Sequence, residues 1–134
     1  MLLGFEHVGM TVSDMDRAVA FYCDLLGLRL ALRKTVERGE IAFFDSGAGM
    51  LEVFAPASRM VDRFRDVPIH EAGLRHITFA FDDVDAKLAE LDAAGVEIAE
   101  RPRDAFNTEM IRRVAFVRDA DGILVELIER AAGR

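Results

Sequence analysis

GFEHVGMTVSDMDRA (residues 4–18) and GLRHITFAFDDVDAK (residues 73–87) are two copies of one pattern in this 134-residue chain. Each copy runs from a glycine to a histidine three positions later, and then through an apolar stretch to Asp-x-Asp. His7 and His76 stand at matching positions, 69 residues apart. Self-similarity at a fixed spacing is the signature of a fold built from repeated units. The chain is therefore expected to contain two modules of similar structure.

A second pair of segments extends the repeat. DSGAGMLEVF (residues 45–54) and DADGILVELI (residues 119–128) both lead from an aspartate through a glycine turn into an apolar strand. Glu52 and Glu126 are the matching carboxylates, 74 residues apart. The larger spacing means that the second copy carries about five extra residues, which we expect in the loop around residues 101–107.

Each copy is predicted to form a strand, a helix and three further strands. Apolar residues at three- and four-residue steps predict the helices. These residues are Ala18, Phe21, Tyr22 and Leu25 in the first copy and Val84, Leu88 and Leu91 in the second. Ser13 is the expected N-cap of the first helix, and Gly27 and Gly95 are expected to end the two helices.

The predicted fold class is α+β, with two tandem βαβββ modules in one domain covering residues 1–134. Module one covers residues 1–56, a connector covers residues 57–72, and module two covers residues 73–130. A helical turn is predicted within the connector, at SRMVDRFRD (residues 58–66). The connector contains no run of Gly and Ser, so a flexible linker is not expected.

Composition narrows the class of protein. The chain has 17 Lys and Arg against 24 Asp and Glu, a formal net charge of −7, which argues against nucleic acid or a membrane surface as a partner. The single cysteine, Cys23, fits a reducing, intracellular environment. No apolar stretch approaches the ~20 residues of a membrane span, and no signal peptide is recognised. A cytoplasmic protein that acts on a small molecule is expected.

Two histidines and two glutamates at repeat-equivalent positions are the candidate site: His7, Glu52, His76 and Glu126. Burying a lone carboxylate among apolar side chains is costly unless a partner or a metal ion compensates its charge. If both modules pack alike, the four groups converge on one cavity. Two imidazoles and two carboxylates there predict a divalent cation. Ligands of this kind suit nickel, cobalt, manganese, iron or zinc.

Other interpretations exist for each residue alone. A single strand histidine is more often a structural residue than a ligand. A single strand glutamate could lie at an exposed edge, or pair with Arg112 or Arg113. Both explanations must hold twice, at matching places in both copies, so the metal site is favoured.

The repeated segments, together with FVRDADGILVEL (residues 116–127), resemble the vicinal oxygen chelate superfamily, which includes glyoxalase I, bleomycin resistance proteins and dioxygenases. The resemblance covers essentially the whole chain. It implies that the paired modules form a curved, barrel-like mixed sheet around a metal cleft, and that the protein is a homodimer. The set His7, Glu52, His76 and Glu126 is most similar to the ligands of bacterial glyoxalase I, and this favours nickel or cobalt.

The resemblance implies a metal-dependent lyase or isomerase that shifts a proton between adjacent carbons of a 2-oxoaldehyde hemithioacetal or a similar 2-oxo or thioester substrate. Glu126 is the first choice for the catalytic base and Glu52 the second. The chain departs from glutathione-binding members, because Thr11 stands where they carry Arg and VFAPAS (residues 53–58) lacks their Asn. The alternatives are an epimerase, an extradiol-type dioxygenase, or a protein that binds a small molecule or drug without catalysis.

Overall fold

The computed structural model describes residues 1–58, 62 and 64–134. Its elements follow in the order β1 (His7–Thr11), α1 (Met15–Ala18) continued by a π-helical segment (Val19–Leu25), β2 (Arg29–Val36), β3 (Gly39–Asp45), β4 (Met50–Pro56), β5 (Ile77–Ala80), α2 (Val84–Ala93), β6 (Glu97–Asp104), β7 (Ile111–Arg118) and β8 (Leu124–Arg130). The predicted order of strand, helix and three strands is confirmed in both copies. Residues 59–61 and 63 of the predicted connector turn lie outside the described residues.

The chain divides into two compact units, Met1–Asp62 and Arg63–Arg134. Each unit holds one four-stranded sheet, in the order β1-β4-β3-β2 in the first and β5-β8-β7-β6 in the second. The first strand of each unit is parallel to its last strand, whereas the other pairs are antiparallel. Both sheets are mixed, as predicted, and both are open.

The first helix differs from the prediction in its N-cap and in the leucine that it buries, whereas Gly27 follows its end with a φ of +94°, as predicted. Its N-cap is Asp14, whose carboxylate accepts a hydrogen bond from the Arg17 N–H at 3.0 Å, so the prediction of Ser13 is wrong. In the π-helical segment the Leu26 N–H donates to the Phe21 carbonyl, five residues back. The wider turn rotates the following residues, and Leu26 rather than Leu25 is buried.

The second helix follows the prediction. Val84, Leu88 and Leu91 are all buried. The Asp83 carboxylate caps the helix by accepting a hydrogen bond from the Ala86 N–H at 2.9 Å. Gly95 follows the helix with a φ of +80°, a conformation that favours glycine.

Glu129 joins helix α2 to the sheet of the second unit. Its side chain is buried, with only 6% of its surface exposed. One carboxylate oxygen accepts a hydrogen bond from the Val84 N–H at 2.9 Å, and the other pairs with Arg112. The Val84 amide belongs to the first turn of the helix, where N–H groups have no partner within the helix. Glu129 therefore fixes where the helix begins against β8.

The extra residues of the second copy lengthen one loop. The loop between β2 and β3 comprises residues 37–38, whereas the loop between β6 and β7 comprises residues 105–110. Residues 101–104, which were predicted to be loop, continue β6 because register irregularities along this strand let the pairing with β7 extend to Asp104. Ala105, at the start of the loop, packs in a small buried cluster with Val114 and Ile128.

Among residues 1–58, 62 and 64–134, neither helix has the length and apolar character that a membrane span requires.

Candidate metal centre

In the first unit, the strand pairing brings His7 and Glu52 together. Strand β1 runs parallel to β4, and Gly9 is the residue directly beside Glu52. His7 lies two residues before Gly9 and so shares its face of the sheet. The His7 Nε2 atom lies 3.7 Å from the Glu52 Oε2 atom. The Glu52 side chain is 37% exposed, so the pair is accessible from solvent.

The second unit repeats this arrangement with His76 and Glu126. Thr78 of β5 lies beside Glu126 of β8, and His76 immediately precedes β5. The His76 Nε2 atom lies 3.3 Å from the Glu126 Oε2 atom. Glu126 is more enclosed than its counterpart, with 12% of its side chain exposed. Each predicted histidine thus lies beside its predicted glutamate, and their convergence on one shared ion stays a prediction.

An aromatic ring supports the histidine in each unit. The His7 ring meets the Phe43 ring edge to face, with the centroids 5.9 Å apart, and His76 meets Phe116 in the same way at 5.6 Å. Phe43 and Phe116 are the cross-strand neighbours of the two glutamates, on β3 and β7. These phenylalanines were not among the predicted site residues. IAFFD (residues 41–45) and VAFVR (residues 114–118) are nevertheless matching segments that could have revealed them.

Glu6 orients the imidazole of His7. Its carboxylate contacts the Nδ1 atom of His7, on the side of the ring opposite Glu52. This contact raises the pKa of His7 above its ordinary value; burial opposes the shift, while the charges of Glu6 and Glu52 add to it. In the neutral ring, a proton on Nδ1 leaves the Nε2 lone pair facing Glu52. A carboxylate behind a metal-binding histidine is a common arrangement, because it fixes the tautomer and the ring orientation.

The arginines considered as alternative partners of Glu126 lie elsewhere. Arg112 pairs with Glu129, and Arg113 binds the Asp85 carboxylate through two hydrogen bonds of 2.7 Å. Across residues 1–58, 62 and 64–134, no Lys or Arg lies within ion-pair distance of Glu52 or Glu126. In this described part of the chain, the two carboxylates therefore face imidazoles rather than a Lys or Arg side chain.

The donor atoms fit a divalent metal ion. Two ligands at right angles on an ion, each about 2.1 Å away, are about 3.0 Å apart, and the measured N···O separations of 3.7 and 3.3 Å are slightly wider. A lone pair on Nε2 that faces a carboxylate oxygen is unfavourable unless a proton or a metal ion lies between them. All four predicted ligands offer nitrogen or oxygen, the atoms that first-row divalent ions accept.

A different acidic group in the second unit is structural. Asp83, Asp85 and Glu129 place carboxylate oxygens within 4.8 Å of one another. Each is already engaged, because Asp83 caps α2, Asp85 binds Arg113, and Glu129 binds the Val84 amide and Arg112. These contacts account for the group without a bound ion.

The comparisons with known proteins place the whole repeat in one family. The model described as Glyoxalase/Bleomycin resistance protein/Dioxygenase superfamily matches residues 4–127. The uncharacterized protein YqjC of Bacillus subtilis is 32% identical, over 92% of this chain and 90% of its own. Lactoylglutathione lyase of Haemophilus influenzae is 30% identical, over 92% of this chain and 90% of its own.

A solved structure shows the same fold. The crystal structure of SMU.1112c matches this chain with a TM-score of 0.80 at 29% sequence identity. The match covers 96% of this chain and 100% of the other. Both units of the present chain are therefore included in the similarity.

Proposed function

Because this chain belongs to the glyoxalase/bleomycin resistance protein/dioxygenase superfamily, we propose that it is a metal-dependent lyase or isomerase of the glyoxalase I type. The duplicated His–Glu pair carries the proposal. In the described part of the chain, no Lys or Arg lies near the two imidazoles and two carboxylates, and such a set of groups is suited to hold a divalent cation. His7, Glu52, His76 and Glu126 are the proposed ligands, and nickel or cobalt is the favoured ion. Lactoylglutathione lyase of Haemophilus influenzae is a relative whose name states such a lyase activity.

The proposed substrate is a hemithioacetal of a 2-oxoaldehyde, or a similar 2-oxo or thioester compound. A bound divalent cation acts as a Lewis acid that stabilises negative charge on adjacent substrate oxygens. One of the two carboxylates takes the proton from the carbon that bears the hydroxyl and sulfur, leaving an enediolate. It then returns the proton to the neighbouring carbon, while the hydroxyl proton moves to the neighbouring oxygen. The product is a 2-hydroxyacyl thioester, so the reaction needs no oxidant or reductant.

Two side chains adapt the site to this reaction. Phe43 and Phe116 hold the imidazoles edge-on, which restricts the rotation of the rings.

The homodimer implied by the sequence resemblance stays a prediction, and sedimentation at micromolar concentration tests it.

Metal analysis of the purified protein, followed by an activity assay, tests the proposed function. We expect about one nickel, cobalt, zinc, iron or manganese ion per site, and conversion of the methylglyoxal–glutathione hemithioacetal, or of one made with another thiol, without oxygen uptake. A protein that binds no divalent ion after reconstitution would contradict the proposal and leave a non-catalytic binding protein. Oxygen consumption by the iron-loaded form would favour a dioxygenase instead.

The contact between Glu6 and His7 gives a separate prediction. Replacing Glu6 with glutamine removes the charge that orients the His7 ring, and we expect metal affinity to fall roughly 10- to 100-fold. Titration with Ni²⁺ in competition with a chelator measures the change. Glu37→Gln, in the exposed loop between β2 and β3, is the matched control and should leave the affinity unchanged. Equal affinities for both variants would show that Glu6 does not act on the site.

A further inference from the structure

The two His–Glu pairs differ at the residue beside each glutamate. Gly9 and Thr78 occupy matching positions in the repeat, 69 residues apart. Gly9 is the neighbour of Glu52 on the parallel strand, and Thr78 is the neighbour of Glu126. One glutamate therefore faces a side chain with a hydroxyl group, whereas the other faces a residue with no side chain.

The hydroxyl of Thr78 holds Glu126. Its Oγ1 atom donates a hydrogen bond to Glu126 Oε2 at 2.6 Å. The same carboxylate oxygen lies 3.3 Å from His76 Nε2, so this atom is fixed from two sides. A hydrogen bond from a hydroxyl to an ionised carboxylate is among the stronger ones in proteins. Moving Glu126 out of this position would break that bond.

Glu52 lacks a comparable restraint. Over residues 1–58, 62 and 64–134, its carboxylate accepts no hydrogen bond, and its ion-pair contact is with His7 Nε2 at 3.7 Å. Its side chain is also about three times as exposed as that of Glu126, at 37% against 12%. Glu52 can therefore leave its position without breaking a hydrogen bond to any of these described residues.

We propose that Thr78 is a positioning residue that fixes Glu126 as a permanent metal ligand, so that Glu52 is the carboxylate that removes and returns the substrate proton. This inference rests on the proposed function. It reverses the order derived from the sequence, in which Glu126 was the first choice for the base. The reason is the different neighbour of each glutamate, because Thr78 donates a hydrogen bond to Glu126 whereas Gly9 has no side chain to offer Glu52.

The chain also permits the reciprocal change. Within the described residues, a Cβ atom built on Gly9 would meet nothing within 4 Å beyond its own chain neighbours, and the φ of Gly9 lies outside the region that favours glycine. The backbone at Gly9 therefore has room for the Cβ of a threonine, whose hydroxyl would be next to Glu52 on the neighbouring strand. If a threonine at this place restrains the neighbouring carboxylate, this variant should lower turnover while leaving the metal in place.

Titration with Co²⁺ alone tests the positioning role. We expect Thr78→Val to weaken Co²⁺ binding about 10-fold and Thr78→Ser to restore it to within about threefold of wild type. In the Glu126→Gln background, titrated up to millimolar Co²⁺, Thr78→Val should have no further effect. In the Glu52→Gln background it should again cost about 10-fold. Thermal unfolding without metal provides the control that each variant folds.

Two results would overturn the positioning role: unchanged Co²⁺ binding in Thr78→Val, or a full 10-fold loss in the Glu126→Gln background. Either result, obtained with a wild-type protein that binds Co²⁺, removes this inference and leaves the proposed function standing. A wild-type protein that binds no Co²⁺ removes both.

Turnover of Co²⁺-loaded protein tests the assignment of the base, with the hemithioacetal that wild type converts as the probe. Glu52→Gln should reduce kcat by about 100-fold or more at saturating Co²⁺. Once loaded with Co²⁺, Thr78→Val should retain most of the wild-type kcat. In Gly9→Thr, the fold-decrease in kcat should be larger than the fold-decrease in Co²⁺ affinity. Substantial kcat in loaded Glu52→Gln would overturn the assignment.

Discussion

Replacing Glu126 with glutamine is expected to lower the affinity for divalent cations by about 100-fold or more, since changes to residues that only support metal ligands already cost about 10- to 100-fold. The reason is that an amide keeps the shape of the side chain but removes the negative charge that lies 3.3 Å from His76 Nε2. It also weakens the hydrogen bond from Thr78, because the acceptor is no longer ionised. Competition of Ni²⁺ or Co²⁺ with a chelator measures the loss.

Thermal unfolding provides a second measurement of the same change. A ligand at 100 times its Kd stabilises a folded protein by about 2.7 kcal/mol, so added metal should raise the Tm of wild type. At the same metal concentration, Glu126→Gln should show a much smaller rise. The control is Glu109→Gln, in the exposed loop between β6 and β7. If Glu126→Gln and Glu109→Gln bind metal equally well, Glu126 is not a ligand.

Replacing Leu127 with alanine is expected to destabilise the protein by about 2–5 kcal/mol, the usual cost of a large-to-small change in a core. Leu127 follows Glu126 on β8 and points to the opposite face of the sheet, where its exposure is 0%. Its strand neighbours are Phe79 and Ala115. Val84, Leu88 and Leu91 of α2 supply further buried apolar surface in the same unit. The truncated side chain would leave a cavity that these neighbours fill only partly.

Urea denaturation of metal-free protein measures this loss. Leu74→Ala is the matched control, because Leu74 belongs to the same unit and is 78% exposed, and it should change the free energy of unfolding by less than about 0.5 kcal/mol. A loss below about 1 kcal/mol in Leu127→Ala would mean that the core around β8 relaxes into the space. Adjacent residues of one strand thus have different expected effects: Glu126 on metal binding and Leu127 on stability.

The fold could be predicted from the sequence because the same apolar pattern occurs twice. Alternation along the strands and the spacing of Val84, Leu88 and Leu91 were sufficient for the module order and the second helix. The first helix was less predictable. The π-helical segment buries Leu26 in place of Leu25. Because Leu25 and Leu26 are adjacent and both apolar, the sequence is compatible with an α-helix that buries the first or a π-helix that buries the second. Asp14 and Ser13 are likewise both good N-cap residues, so only the backbone conformation decides between them.

The candidate site was predicted as residue types and matching positions, but not as contacts. The pairing of His7 with Glu52 follows from the register of β1 against β4, which the sequence does not specify. Glu6 was missed because a glutamate before a strand is common and nothing in its spacing is unusual. Thr78 was not among the predicted site residues. Its hydrogen bond to Glu126 depends on cross-strand geometry.

The hydroxyl group present beside only one glutamate also bears on stereochemistry. A single mobile carboxylate, Glu52, would remove and return the proton on one face of a planar intermediate. The new stereocentre would then have one configuration, and the enzyme would release a single enantiomer. Two equally mobile carboxylates could exchange protons on different faces and invert a centre, as an epimerase must. The difference between Gly9 and Thr78 would thus make the two duplicated halves unequal, and the expected consequence is a product of one configuration.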